Sequence, residues 1–78
     1  MKTFTQNETS YTSKEVKIVN TTYILMQVKG KFNYINVQKV SVNSLLGKDF
    51  ESFEAAIANY KNPKLKAALI EFQEELKK

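Results

Sequence analysis

The 78-residue chain has no cysteine, histidine, tryptophan or arginine. Without cysteine there is no disulfide framework and no thiolate metal site. Without histidine the usual zinc site and the imidazole acid–base are missing as well. Proline occurs once, at Pro63, and glycine twice, at Gly30 and Gly47. The two glycines stand alone, so there is no glycine-rich phosphate loop, and Lys48 after Gly47 does not make one. Apolar runs are short. None is longer than Tyr23 to Met26, far below the roughly 20 residues of a transmembrane helix. The opening MKTFTQNETSYTS lacks the apolar stretch of a signal peptide, so a cytoplasmic protein with no membrane partner is expected.

What is present is lysine. All twelve cations are lysines, against eight carboxylates, for a formal net charge of +4. The division along the chain says more than the sum. Residues 1–48 carry seven lysines against Glu8 and Glu15, a net of +5, whereas residues 49–78 come to −1. A basic half favours an anionic partner, nucleic acid or acidic protein, although solubility explains it equally well. Lysine is a point charge without the planar fork of arginine, so sequence-specific major-groove reading is disfavoured and non-specific phosphate contact is left open. An AT-rich genome would produce the same bias.

Apolar residues make up 42% of the chain, enough for one small core. Residues 1–13 are polar and threonine-rich, and a flexible N-terminal tail is expected there. Residues 14–78 then form a single α+β domain. Val16, Ile18 and Val19 open a first strand, Tyr23 to Val28 a second, and Phe32 to Val40 a third. Lys29-Gly30-Lys31 reads as a turn in which glycine supplies a positive φ. By parity, Ile24, Met26 and Val28 of the second strand and Ile35 and Val37 of the third are assigned to the core. Tyr23, Phe32 and Tyr34 are then placed outside.

Ser41 to Lys48 reads as a connection, with Leu45 and Leu46 tucked against the core. Phe50, Phe53, Ile57 and Tyr60 repeat at helical spacing, with Asp49 or Ser52 as cap. Asn62-Pro63 ends that helix and starts another, whose stripe is Leu65, Ala68, Leu69, Phe72 and Leu76. The expected fold is a three-stranded antiparallel β-meander followed by two α-helices packed on one sheet face, β-β-β-α-α. The alternative has the second helix pairing with its counterpart in a homodimer.

Enzymatic chemistry has little to work with. Glu51 with Glu54, and Glu71 with Glu74 or Glu75, are carboxylate pairs at helix spacing. Such pairs are characteristic of solvated surface, so no catalytic residue, metal ligand or cofactor is assigned and a non-enzyme is expected. Tyr23, Phe32 and Tyr34, flanked by Lys14, Lys17, Lys29 and Lys31, make a candidate partner-binding face. Such a surface serves a protein partner or stacks single-stranded RNA or DNA, and cross-strand packing of the aromatics accounts for it without any partner. Lys61, Lys64 and Lys66 near the second helix start are anion-binding candidates, or simply a solvated corner.

The segment LLGKDFESFEAAIANYKNPKLKAAL, residues 45–69, has a rhythm similar to that of small phage and mobile-element proteins. In kind, the chain resembles small phage-encoded inhibitors of host defence, the anti-CRISPR proteins among them. That class has many unrelated folds and no shared motif, so the resemblance transfers no residue roles. It implies a stoichiometric, non-enzymatic binder that docks on a host protein or ribonucleoprotein such as a CRISPR effector. The alternatives are a single-stranded nucleic-acid-binding module and a helical-hairpin oligomerisation module.

Overall fold

A computed structural model of the protein describes residues 2–40 and 45–77, apart from the side chains at 45 and 46. The first element is a strand, β1 (Lys2–Gln6), followed by β2 (Thr9–Ile18), β3 (Thr21–Lys29), β4 (Tyr34–Val40) and β5 (Leu45–Phe50). Two helices complete it, α1 (Phe53–Asn59) and α2 (Pro63–Leu76). The strands form one antiparallel sheet in the order β1-β2-β3-β4-β5. The α+β class and the meander are as expected, but among the described residues the strands number five rather than three.

The first extra strand lies in the segment expected to be a tail. Lys2 pairs with Ser13, Phe4 with Tyr11 and Gln6 with Thr9. Asn7 and Glu8, at φ 52 and 64, make the two-residue turn, and two successive positive φ values are the backbone of a type I′ hairpin. Every residue of β1 is exposed. No apolar alternation marks it because no helix covers either of its faces. Its cohesion is cross-strand instead: Thr3 and Thr12 hydroxyls lie 3.4 Å apart, as do those of Thr5 and Ser10, and such Thr–Thr and Thr–Ser pairs stabilise ladders. The second extra strand, β5, takes over part of the expected 41–48 connection. The expectation for Leu45 and Leu46 lies outside the described residues.

The register assigns the faces. Leu25 pairs with Lys14 on one side and Val37 on the other, and Ile35 pairs with Phe50. These positions share the face that both helices cover. The core there is Ile18, Leu25, Ile35, Val37 and Phe50 against Phe53 and Ala56 of α1 and Leu65, Leu69 and Phe72 of α2. Full burial of a side chain such as Leu25 or Phe72 stabilises the fold by roughly 1.5–3 kcal/mol. Phe53 meets Phe72 edge to face, with centroids 5.8 Å apart. On β4 the expected parity holds. On β3 it is reversed: Leu25 is the core residue, and Ile24, Met26 and Val28 lie on the opposite face. The run Tyr23 to Val28 is apolar on both sides except at Gln27, so composition could not choose between its two faces.

The helix stripes are as expected. Ser52 Oγ accepts from the Ala55 N–H at 3.2 Å and caps α1. Asn62 Oδ1 accepts from the Lys64 N–H at 2.9 Å and caps α2, whose first residue is Pro63. Phe50 is the last residue of β5 rather than helical, yet it shares the buried face with Phe53, Ile57 and Tyr60.

Candidate binding face

With both helices on one side, the other side of the sheet has no covering layer among the described residues. Its most apolar row crosses four strands. Phe4 stacks on Tyr11 with ring centroids 4.7 Å apart and planes 14° from parallel. Tyr11 pairs with Val28, and Val28 with Tyr34. Val28, flanked by a tyrosine on each neighbouring strand, is only 2% exposed and stands apart from the core cluster. The next rows add Met26 between Ser13 and Asn36, and Ile24 between Glu15 and Gln38. Asn36 donates to Asp49 Oδ1 at 2.7 Å, and its buried Oδ1 has no partner among the described residues. Beside Ile24, at the Lys2–Ser13 pair where β1 begins, Lys2, Ser13, Lys14 and Glu15 border an open hollow of about 430 Å³.

The structure separates the residues that the sequence groups together. Tyr34 lies on this open face. Tyr23 lies on the other, packed against the core. There burial, and then the neighbouring Tyr23, hold the Tyr60 phenol above its ordinary pKa. Phe32 is at the β3–β4 turn, 73% exposed, with Lys31 Nζ 5.9 Å from its ring centre. Lys29 ends β3 beside that turn. Lys17 is exposed and pairs with Thr22 on the open face.

Lys14 is committed elsewhere. It faces the helices, and its Nζ donates to Glu75 at 2.9 Å and to Glu71 at 3.4 Å. The bond to Glu75 is the main reason its pKa is raised; partial desolvation opposes the shift, and Glu71 adds to it. Lys48 donates to Asn59 Oδ1 at 3.2 Å and sits 5.5 Å from the Phe50 ring centre, again on the helix side. The basic half of the sequence is therefore not a basic open face. Among the described residues that face carries Lys2 and Lys17 against Glu15 and Asp49.

At the interhelix turn Lys61 and Lys64 are exposed and Lys66 is half-buried. Asn62 already occupies one amide of the α2 N-terminus. Among the described residues no group of three or more acidic side chains could hold a metal ion, and no helix is long and apolar enough to cross a membrane.

Phe4, Tyr11, Met26 and Val28 are the face residues that sequence reasoning missed. One signal was available for the first two: Phe4 and Tyr11 lie equally far from the Asn7-Glu8 pair, and a two-residue turn there places them opposite each other. No family model matches the chain, and no curated protein or solved structure matches it, so the open face is characterised by its own chemistry.

Proposed function

We propose that the protein is a non-catalytic binding protein whose uncovered sheet face docks on another protein. The observation that carries this reading is the row Phe4, Tyr11, Val28 and Tyr34, extended by Met26 and Ile24, on a sheet whose helices all lie on the other side. Tyrosine and phenylalanine anchor protein interfaces, and methionine adapts to irregular partners. The charge on the face favours protein over nucleic acid. Two lysines balanced by Glu15 and Asp49 offer a polyphosphate little net attraction, and Lys14 is held by the α2 carboxylates. In the setting that the segment 45–69 resembles, the partner is a host-defence protein or ribonucleoprotein of the CRISPR-effector kind, and the protein acts as a stoichiometric inhibitor.

The test is affinity purification of the tagged protein from bacterial lysate, with mass spectrometry and nucleic-acid staining of the eluate. The reading expects one stoichiometric protein, lost from both Tyr11→Ala and Tyr34→Ala and retained by Lys64→Ala on α2. Recovery of the partner by the tyrosine variants would remove the face from consideration. An eluate of nucleic acid alone, displaced by salt, would favour phosphate contact instead.

A further inference from the structure

Among the described residues β1 is an end strand of the sheet, paired only with β2, and the pattern of its outer edge matches itself. In an antiparallel ladder successive residues turn their N–H and C=O groups alternately toward one neighbour and the other. The pair Gln6 and Thr9 closes a two-residue turn and is a hydrogen-bonded pair. By alternation Phe4 and Lys2 also bond to β2, and Thr3 and Thr5 direct their backbone groups outward. Exposed edges are normally guarded by proline, a bulge or inward charge. β1 has no proline, its register with β2 runs unbroken from Lys2 to Gln6, and its one charge is at the end, on Lys2.

We infer that β1 pairs with β1 of a second copy of this chain, antiparallel and centred on Phe4. The sequence Thr3-Phe4-Thr5 is a palindrome, so this centring places Thr3 opposite Thr5 of the second copy. Both residues are of the outward-bonding kind, as the ladder requires. Phe4 then faces Phe4 of the second copy at a non-hydrogen-bonded position, where Cα atoms approach to about 4.5 Å. Lys2 faces Gln6 of the second copy, so no like charges meet. On the open face the Tyr11–Phe4 stack continues into its counterpart, giving four aromatic rings in line across the junction. Phe4, at 55% exposure, is the most exposed aromatic within a strand and is the residue this junction would cover. A five-residue edge belongs to the small, weak class of interfaces, so association is concentration-dependent.

Sedimentation velocity across a concentration series up to the high micromolar range tests this. The mass should approach twice that of the chain for the wild type and stay at one chain for Thr5→Pro. That substitution removes an outward N–H and leaves the β1–β2 ladder intact. The absence of cysteine allows a second test that does not depend on proline being tolerated. Under mild oxidation Phe4→Cys should form a covalent dimer readily. Lys2→Cys should not, because two copies of residue 2 lie four residue steps apart in this register. A wild type that remains monomeric throughout, a dimer that survives in folded Thr5→Pro, or equal crosslinking by both cysteine variants would each overturn the inference. None of these results bears on the binding role of Tyr34, so the two readings fail separately.

Discussion

Lys14 Nζ and Glu75 Oε1 lie 2.9 Å apart, joining β2 to the last turns of α2. The lysine side chain retains 21% of its exposure, and a second carboxylate, Glu71, approaches to 3.4 Å. Most of the distance between the two chain halves' charges, as counted along the sequence, disappears at this point. A lysine from the basic half is matched by glutamates from the acidic half. Lys14→Ala should destabilise the protein by up to about 1 kcal/mol, the range of a solvent-screened pair, while Lys17→Ala, on the open face, should be neutral. Urea titration of both variants checks this.

Alkaline pH should weaken the fold through the same residue. The raised pKa of Lys14 in the folded state means that its contribution is fully present below the unfolded lysine value, about 10.4, and is lost as pH rises through the folded value. Tyr60 acts in the same direction. Its buried phenol resists ionisation, so the unfolded chain releases that proton first, and stability falls above the ordinary tyrosine value of about 10. Tyr60→Phe and Lys14→Met should each flatten the alkaline limb of a plot of unfolding free energy against pH. An unchanged limb in both would contradict these assignments.

Two hairpin turns hold non-glycine residues in left-handed backbone. Glu8 sits at φ 64 and Val19, a β-branched residue, at φ 57. For such a residue that conformation costs roughly 1–2 kcal/mol. Glu8→Gly and Val19→Gly should therefore raise the melting temperature, with Val19→Gly the larger effect. Differential scanning calorimetry reads the shift directly.

Gly30 is required by space rather than by a positive φ. No glycine has a positive φ, but a Cβ at position 30 would meet Thr9 Oγ1 at 2.7 Å. Gly30→Ala should cost on the order of 1 kcal/mol, in the range of typical point mutants, with partial relief from Thr9→Ala. Chemical denaturation of the single and double variants tests the coupling.

The face assignment has its own mutational signature. Leu25→Ala should cost about 2–5 kcal/mol, as cavity-forming core substitutions do. Ile24→Ala, one residue away on the uncovered face, should cost much less. The opposite ranking would restore the parity read from composition.

Ile24 and Leu25 also show why part of the fold was legible in the sequence and part was not. The helices could be read because α2 buries one stripe, Leu65, Leu69 and Phe72, beside half-buried Ala68 and Leu76, with Asn62-Pro63 marking its start. On β3 both faces are apolar, one beneath the helices and one uncovered, so alternation carried no sign. β1 buries nothing, and its polar composition resembles that of a tail. Its pairing follows from the turn at Asn7-Glu8, where Glu8 is not a residue that announces left-handed backbone. In β5, Gly47 and Lys48 interrupt any strand pattern, and their tolerance reflects an edge position. Of the candidate site residues, Tyr34 lies on the uncovered face to which the parity of β4 assigns it, whereas Tyr23 and Lys14 lie on the helix-covered face, because the apolar residues on both sides of β3 give its parity no sign.

We propose the uncovered sheet face, not the helices, as the binding surface. The most direct measurement is calorimetric titration of the captured partner with two charge-insertion variants, Met26→Lys at the centre of the face and Ile70→Lys on exposed α2 surface. Met26→Lys should lose at least tenfold in affinity, about 1.4 kcal/mol, while Ile70→Lys should bind as the wild type does. Loss of binding in Ile70→Lys with Met26→Lys unaffected would instead place the interface on the helices.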